Sequence, residues 1–212
     1  MLPEATVGGV LLVYLLTFFA LNAHNVIMGR RERRNTRAYA ELRRPKGFLT
    51  TIAVLGTLSF FGESLLYVFL GLSGLGSRLR VALFQLAIPF DSYLQALGLL
   101  VMGAGFLLFL WSVSARGRYS VSWEMPDDHR LVTWGPYRYV RHPSYLGYFL
   151  MFAGLLLTWL NLLAAIPLMA IPGYVGIADV EEEMLTKRFG DEYRRYQSAS
   201  GRFLPRLTFK RG

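Results

Sequence analysis

HRLVTWGPYRYVRHPSY, residues 129–145, is the densest run of cationic, polar and aromatic side chains in a chain that is otherwise mostly apolar. Long hydrophobic segments lie on either side of it, so the run sits at a membrane surface between two spans. A second polar run, EEEMLTKRFGDEYRRY at 181–196, follows the last hydrophobic segment and falls on the same side. The two runs are expected to close on each other and form one site.

Composition agrees with a membrane protein. Of 212 residues, 53% are hydrophobic and only 17% are charged, against about a quarter charged in a soluble domain. The length suits one domain or two small ones. There is no cysteine, which excludes disulfides, thiolate zinc sites and a cysteine nucleophile. The three histidines, His24, His129 and His142, are too few and too scattered to suggest a metal site. The N-terminal MLPEATVGG has no basic region before the first apolar run, so that run reads as an uncleaved span.

A bilayer core about 30 Å thick takes about 20 apolar helical residues. Five segments are expected to span: 7–28, 48–72, 91–113, 144–160 and 162–180. The fourth and fifth are nearly contiguous and must turn at Asn161. The expected fold is therefore an all-α integral membrane protein with about five transmembrane helices and a C-terminal helical hairpin. Basic residues test this arrangement. Five spans put the stretches 30–46, 114–143 and 181–212 on one side with 21 Lys and Arg, and leave only Arg78 and Arg80 on the other. That asymmetry places the three stretches in the cytoplasm and the N-terminus outside. It also accounts for the net charge of +9 without nucleic acid.

The basic stretch 30–46 is expected to be a surface loop or short interfacial helix attracted to anionic headgroups. Residues 79–90, apolar and containing Pro89, read as an interfacial or re-entrant piece, or as the kinked start of the third span. After Val180, Leu185, Phe189, Tyr193 and Tyr196 recur at helical spacing among charged residues. They predict a cytosolic amphipathic helix.

Three places could carry chemistry. Pro143 suits the first position of the fourth helix, where no N–H partner is required. The free N–H groups there, with Arg141 and His142 beside them, form an anion handle for a carboxylate or phosphate. The competing reading is a capped helix start with snorkelling cations. Glu181, Glu182 and Glu183 fan over one side of a helix end, so at least one should face protein or a bound cation. Glu63 is an intramembrane carboxylate, functional or paired with Asn22, His24 or Asn25. Gly103-Ala104-Gly105 reads as close helix packing. No P-loop, G-x-S-x-G or H-E-x-x-H motif occurs.

Together the two runs resemble the isoprenylcysteine carboxyl methyltransferase family and its phospholipid-type relatives. The residues that carry the resemblance run from His129 through Tyr137, Arg141-His142-Pro143-Ser144-Tyr145 and Gly147. They resume at Glu181-Glu182, Leu185, Phe189-Gly190, Tyr193 and Tyr196. The resemblance implies a methyltransferase using S-adenosyl-L-methionine, with residues 1–113 as membrane helices and 114–212 as the cofactor-binding catalytic region. It places cofactor contacts at His129, Arg130, Leu131, Val132, Tyr137, His142, Pro143, Ser144, Tyr145 and Glu181. Arg141, His142, Glu181 and Glu182 are the expected catalytic set. Similar enzymes acting on prenylcysteine carry an Arg four residues before the carboxylates to hold the substrate carboxylate. Ile177 stands there and cannot make that ion pair.

The function so implied is methyl transfer to a lipophilic, isoprenoid or lipid-like acceptor at the cytosolic membrane face. The cofactor enters from water and the acceptor arrives laterally. A carboxylate or thiolate acceptor needs no strong base, whereas an amine or phenol needs one, either His142 or a Glu. A membrane reductase related to sterol reductases and using NADPH is the first alternative, but those proteins usually carry R-H-x-N-Y where this chain has R-H-P-S-Y. A non-enzymatic lipid-binding membrane protein is the second.

Overall fold

In a computed structural model, the described residues are 1–33, 39–41, 47–75, 84–86, 88–117, 124–126 and 130–206. Among these residues six α-helices dominate: α1 Glu4–Arg33, α2 Phe48–Ser73, α3 Asp91–Arg116, α4 Pro143–Trp159, α5 Ala170–Phe189 and α6 Asp191–Ala199. Short 3-10 segments, Gly135–Arg138 and Leu162–Met169, precede α4 and α5. Two three-residue strands, β1 Tyr39–Glu41 and β2 Glu124–Pro126, pair antiparallel and tie the first polar stretch to the loop ahead of α4.

Among the described residues, four helical segments are long and apolar enough to cross a bilayer: Glu4–His24, Phe48–Ser73, Asp91–Arg116 and Leu162–Phe189. The apolar helix α4 is shorter, with 17 residues. At 1.5 Å per residue it is about 26 Å long, just under a bilayer core. The chain is thus an all-α, multi-pass membrane protein. Large apolar residues face outward along the spans, among them Val54, Leu58, Leu65 and Phe69 of α2 and Leu100 and Leu107 of α3. That is the surface lipid would cover.

Glycines decide which helices touch. A Cβ on Gly98 would come within 2.6 Å of the Thr158 nitrogen, and one on Gly105 within 2.7 Å of the Gly147 carbonyl oxygen. One on Gly154 would stand 2.7 Å from the Met102 nitrogen. α3 and α4 therefore pack backbone against backbone, antiparallel, as the Gly103–Gly105 pattern predicts. Gly173 lets α5 approach α2 in the same way, at Leu49 and Ala53. Phe18, Phe60, Phe106, Phe109 and Phe152 fill the space between the helices.

Several expectations change. α1 continues to Arg33, beyond the expected end of the span at residue 28. Arg and Glu are good helix formers, so the helix outlasts its apolar stretch. The hairpin turn falls where Asn161 predicts: α4 ends at Leu160 with φ 52, and the Asn161 side chain accepts from Leu163 N at 2.9 Å. Pro89 lies ahead of α3 rather than kinking it, and α3 starts at Asp91 after Phe90 with φ 64. Most of the first part of 79–90 lies outside the described residues. The amphipathic stretch is not one separate helix. α5 runs through the carboxylates to Phe189, breaks at Gly190 with φ 55, and α6 carries Tyr193 and Tyr196. Glu63 pairs with Ser59 of its own helix, and Asn22 donates to Phe18 O at 2.8 Å; the side chain of Asn25 lies outside the described residues.

Candidate active site

The site is built where the start of α4 meets the end of α5. Pro143 opens α4 with His142 ahead of it, so Arg141 and His142 project beside the first turn. Glu181 and Glu182 lie on α5, and the 3-10 hairpin brings that helix back against them. The Arg141 Nε donates to Glu182 Oε1 at 2.9 Å, and its Nη1 donates to the carbonyls of Ser200 at 2.6 Å and Gln197 at 3.2 Å. Gln197 Nε2 donates to the other Glu182 oxygen at 2.9 Å. His142 lies between the two carboxylates, with Nε2 3.1 Å from Glu182 Oε1 and Nδ1 3.4 Å from Glu181 Oε2. Tyr145 Oη donates to Glu181 Oε1 at 2.7 Å, and its ring stacks on that of His142 at 5.5 Å.

Both His142 nitrogens face carboxylates, so the protonated ring satisfies both. Burial alone would pull the imidazole down. The hydrogen bonds and charges of Glu181 and Glu182 outweigh it and hold His142 above its ordinary value. A ring engaged at both nitrogens clamps Glu181 and Glu182 in place. Arg141 is similarly committed: its donors are used within the protein. These bonds of Arg141 and His142, the two residues expected to form an anion handle, fasten α4 to α5 and α6.

A C-terminal strap completes the site. Arg141 N donates to Gly201 O at 2.9 Å, His142 N to Arg202 O at 3.0 Å and Gly201 N to Tyr139 O at 3.0 Å. The strap thus lies parallel to residues 139–142, bridging at Val140 and Gly201. Arg202 donates to Asp179 at 2.6 Å and to Val175 O at 3.2 Å, one turn ahead of the carboxylates. Tyr193 is fully buried, and Tyr196 Oη donates to Tyr137 O at 2.6 Å. Gln197, Ser200, Arg202 and Asp179 are parts of the site that sequence reasoning did not single out. Only the apolar spacing of Tyr193 and Tyr196 hinted that α6 would pack here.

Of the residues expected to touch cofactor, His142, Pro143, Ser144, Tyr145 and Glu181 are gathered at this junction, and Tyr137 is buried beside it. The Tyr137 hydroxyl lies near Ser144 but has no hydrogen-bond partner. Burial, the largest influence, and the Glu181 charge push it up, against the pull of Arg116. Val132 is buried, Leu131 half-buried and Arg130 exposed. No hydrogen bond joins these three to the cluster among the described residues. His129 lies outside the described residues. No group of three or more metal-ligating side chains occurs among the described residues.

The fold and site define a multi-pass helical membrane protein with an ion-paired polar junction at one end of its bundle. Residues 93–192, which contain most of α3, all of α4 and α5 and most of both motifs, match the phospholipid methyltransferase family. A protein-S-isoprenylcysteine O-methyltransferase of Tribolium castaneum is 33% identical over 119 residues, covering 53% of this chain and 42% of that protein. One of Schizosaccharomyces pombe is 34% identical over 124 residues, covering 56% of this chain and 52% of that protein. The chain spans about half the length of the curated relatives it matches. The solved eukaryotic intramembrane Ras methyltransferase, an isoprenylcysteine carboxyl methyltransferase, overlays with a TM-score of 0.48 at 27% identity, covering 74% of this chain and 51% of that one. The similarity to the phospholipid and isoprenylcysteine methyltransferases, expected from the two ordered motifs, is borne out.

Proposed function

We propose that this chain is an integral-membrane methyltransferase that uses S-adenosyl-L-methionine to methylate a lipophilic, isoprenoid or lipid-like acceptor at the cytosolic membrane face. The observation that carries the reading is the closure of Arg141–Tyr145 on Glu181 and Glu182. The curated relatives act, by their names, on S-isoprenylcysteine, which supports a prenylated or similarly lipophilic acceptor. The charge asymmetry supports a cytoplasmic site and an external N-terminus. On this reading, residues 1–113 are membrane scaffold and 114–212 the catalytic region.

The residues fit such a cofactor. The Tyr137 hydroxyl is buried without a partner beside Ser144 in the first turn of α4. That end of the helix favours an anionic group such as the cofactor carboxylate. Glu181 offers a carboxylate to the ammonium or ribose hydroxyls. Tyr137, Leu131 and Val132 offer walls for the base, with Arg130, His142, Pro143 and Tyr145 completing the contacts. When bound, the cofactor supplies an electrophilic methyl on a sulfonium.

The protein's share is orientation and exclusion of water. Arg141 and His142 hold the two carboxylates rigid, and Tyr145 aims Glu181. A carboxylate acceptor gives up no proton on methylation, so it asks no base of the site. The test is methyl-labelled S-adenosyl-L-methionine given to membranes holding the full chain or Glu181→Gln. Label should enter solvent-extractable lipid or prenylated product with the wild type and not with the variant. No labelled product above that of empty membranes would refute the reading.

A further inference from the structure

RFLPR, residues 202–206, sets three apolar residues between two arginines and belongs to neither motif. The chain turns tightly here. A Cβ on Gly201 would collide with the Leu204 carbonyl oxygen, so the turn closes only over a glycine. Both ends of the loop are fastened. Arg202 donates to Asp179 at 2.6 Å and to Val175 O at 3.2 Å, and Arg206 Nη1 donates to Ser198 O at 2.7 Å. The tip is open: Leu204 is 70% exposed, and Pro205 is exposed beside it.

Direction and depth place that tip at the edge of the bilayer. The strap runs parallel to residues 139–142, which lead straight into α4, so it heads toward the membrane as it reaches Phe203. The Phe203 ring packs on that of Phe149 at 5.3 Å. Phe149 follows Pro143 by six residues, about 9 Å along the axis of α4. Val175, the acceptor of Arg202, lies inside the apolar segment Leu162–Phe189 and precedes Glu181 by six residues, again about 9 Å. At the same level Gly176 of α5 meets Leu49 of α2, and Leu49 and Phe48 are both exposed. An exposed leucine level with exposed apolar residues of the spans meets acyl chains rather than water.

We propose that residues 202–206 form a membrane-inserted wedge, with Leu204 and Pro205 entering the acyl boundary of the leaflet at the site end of the bundle. The partner is the acyl layer itself. Arg202 and Arg206 at the base are engaged with Asp179 and with backbone carbonyls, so insertion is driven by burial of the apolar tip and not by attraction to anionic headgroups. Phe203, behind the tip, packs on the His142 ring at 5.7 Å. The wedge thus seats one wall of the polar junction on the bilayer.

The chain has no cysteine, so a single introduced one reports cleanly. The full chain carrying Leu204→Cys or Pro205→Cys is labelled with a nitroxide in phosphatidylcholine nanodiscs. Its collisions are read with oxygen, which concentrates among acyl chains, and with a water-soluble nickel chelate. Arg195→Cys, on the exposed side of α6, is the water reference, and Leu65→Cys, on the exposed side of α2, is the lipid reference. Both tip residues are exposed, so a label there displaces no packing, and each labelled chain should melt like the wild type. At both tip positions the ratio of oxygen to nickel collisions should shift from the value at 195 toward the value at 65. It should be the same in discs of anionic phosphatidylglycerol and at high salt. A ratio at the tip equal to that at 195 puts the loop in water and overturns the proposal. Labels shielded from both reagents put protein over the tip, from this chain or a second copy, and overturn it as well. A ratio that rises only with anionic lipid makes the loop an electrostatic headgroup contact, which is a further refutation.

Discussion

Replacing Glu182 by Gln removes one charge from the junction and almost no volume. In the wild type its carboxylate meets Arg141 at 2.9 Å, His142 at 3.1 Å and Gln197 at 2.9 Å, with Arg202 at 3.7 Å. The side chain is 14% exposed and that of Arg141 only 9%. Removing one member of a buried ion pair costs about 3–5 kcal/mol, because the other charge is stranded. The glutamine keeps one acceptor oxygen, and Glu181 still faces His142, so about 2–3 kcal/mol is expected. For a chain of this length that corresponds to a fall of roughly 4–12 °C in melting temperature. The assay is thermal unfolding of the detergent-purified full chain, with Lys187→Gln as control. Lys187 pairs with Glu183 at 2.5 Å on an open surface, and its loss should leave the melt unchanged. Equal melting of Glu182→Gln and the control would refute the view that this cluster fastens α4 to α5 and α6.

Three further outcomes are expected. His142 is held above its ordinary value in the folded protein, so its contribution is complete below the unfolded value of about 6.5 and is lost as pH rises through the folded value. Melting temperature should therefore fall across that window, and His142→Asn should flatten the slope; a wild-type melt that rises there would contradict the assignment. Gly105→Ala should force α3 from α4, since its Cβ would stand 2.7 Å from the Gly147 carbonyl oxygen, and should cost about 1–3 kcal/mol by denaturant or thermal unfolding. Tyr196→Phe leaves the Tyr137 carbonyl without its donor and should cost about 0.5–1.5 kcal/mol, read in the same melts.

The spans were legible because long apolar runs carry the largest signal a membrane chain has. The expected segments 48–72 and 91–113 coincide with the cores of α2 and α3, and Asn161 marks the hairpin. The ends were less legible. Hydropathy locates where a helix leaves lipid, not where it stops, which is why α1 outruns its apolar stretch to Arg33. Leu185, Phe189, Tyr193 and Tyr196 keep helical spacing across Gly190, and the periodicity hid the break there.

At the site, the residue types and their meeting place were readable, but the partners were not. Arg141 and His142 read as free cations until α5 was packed against them. The strap at 200–202 bonds through backbone groups, which leave no trace in side-chain pattern.

The most direct measurement is calorimetric titration of the purified full chain and Glu181→Gln with S-adenosylhomocysteine. The wild type should bind it, and binding should weaken about tenfold or more in the variant, whose carboxylate at the Tyr145–His142 junction has lost its charge. A folded wild type that binds no S-adenosylhomocysteine, or a variant that binds it equally well, would contradict the claim that the two motifs close into one cofactor site.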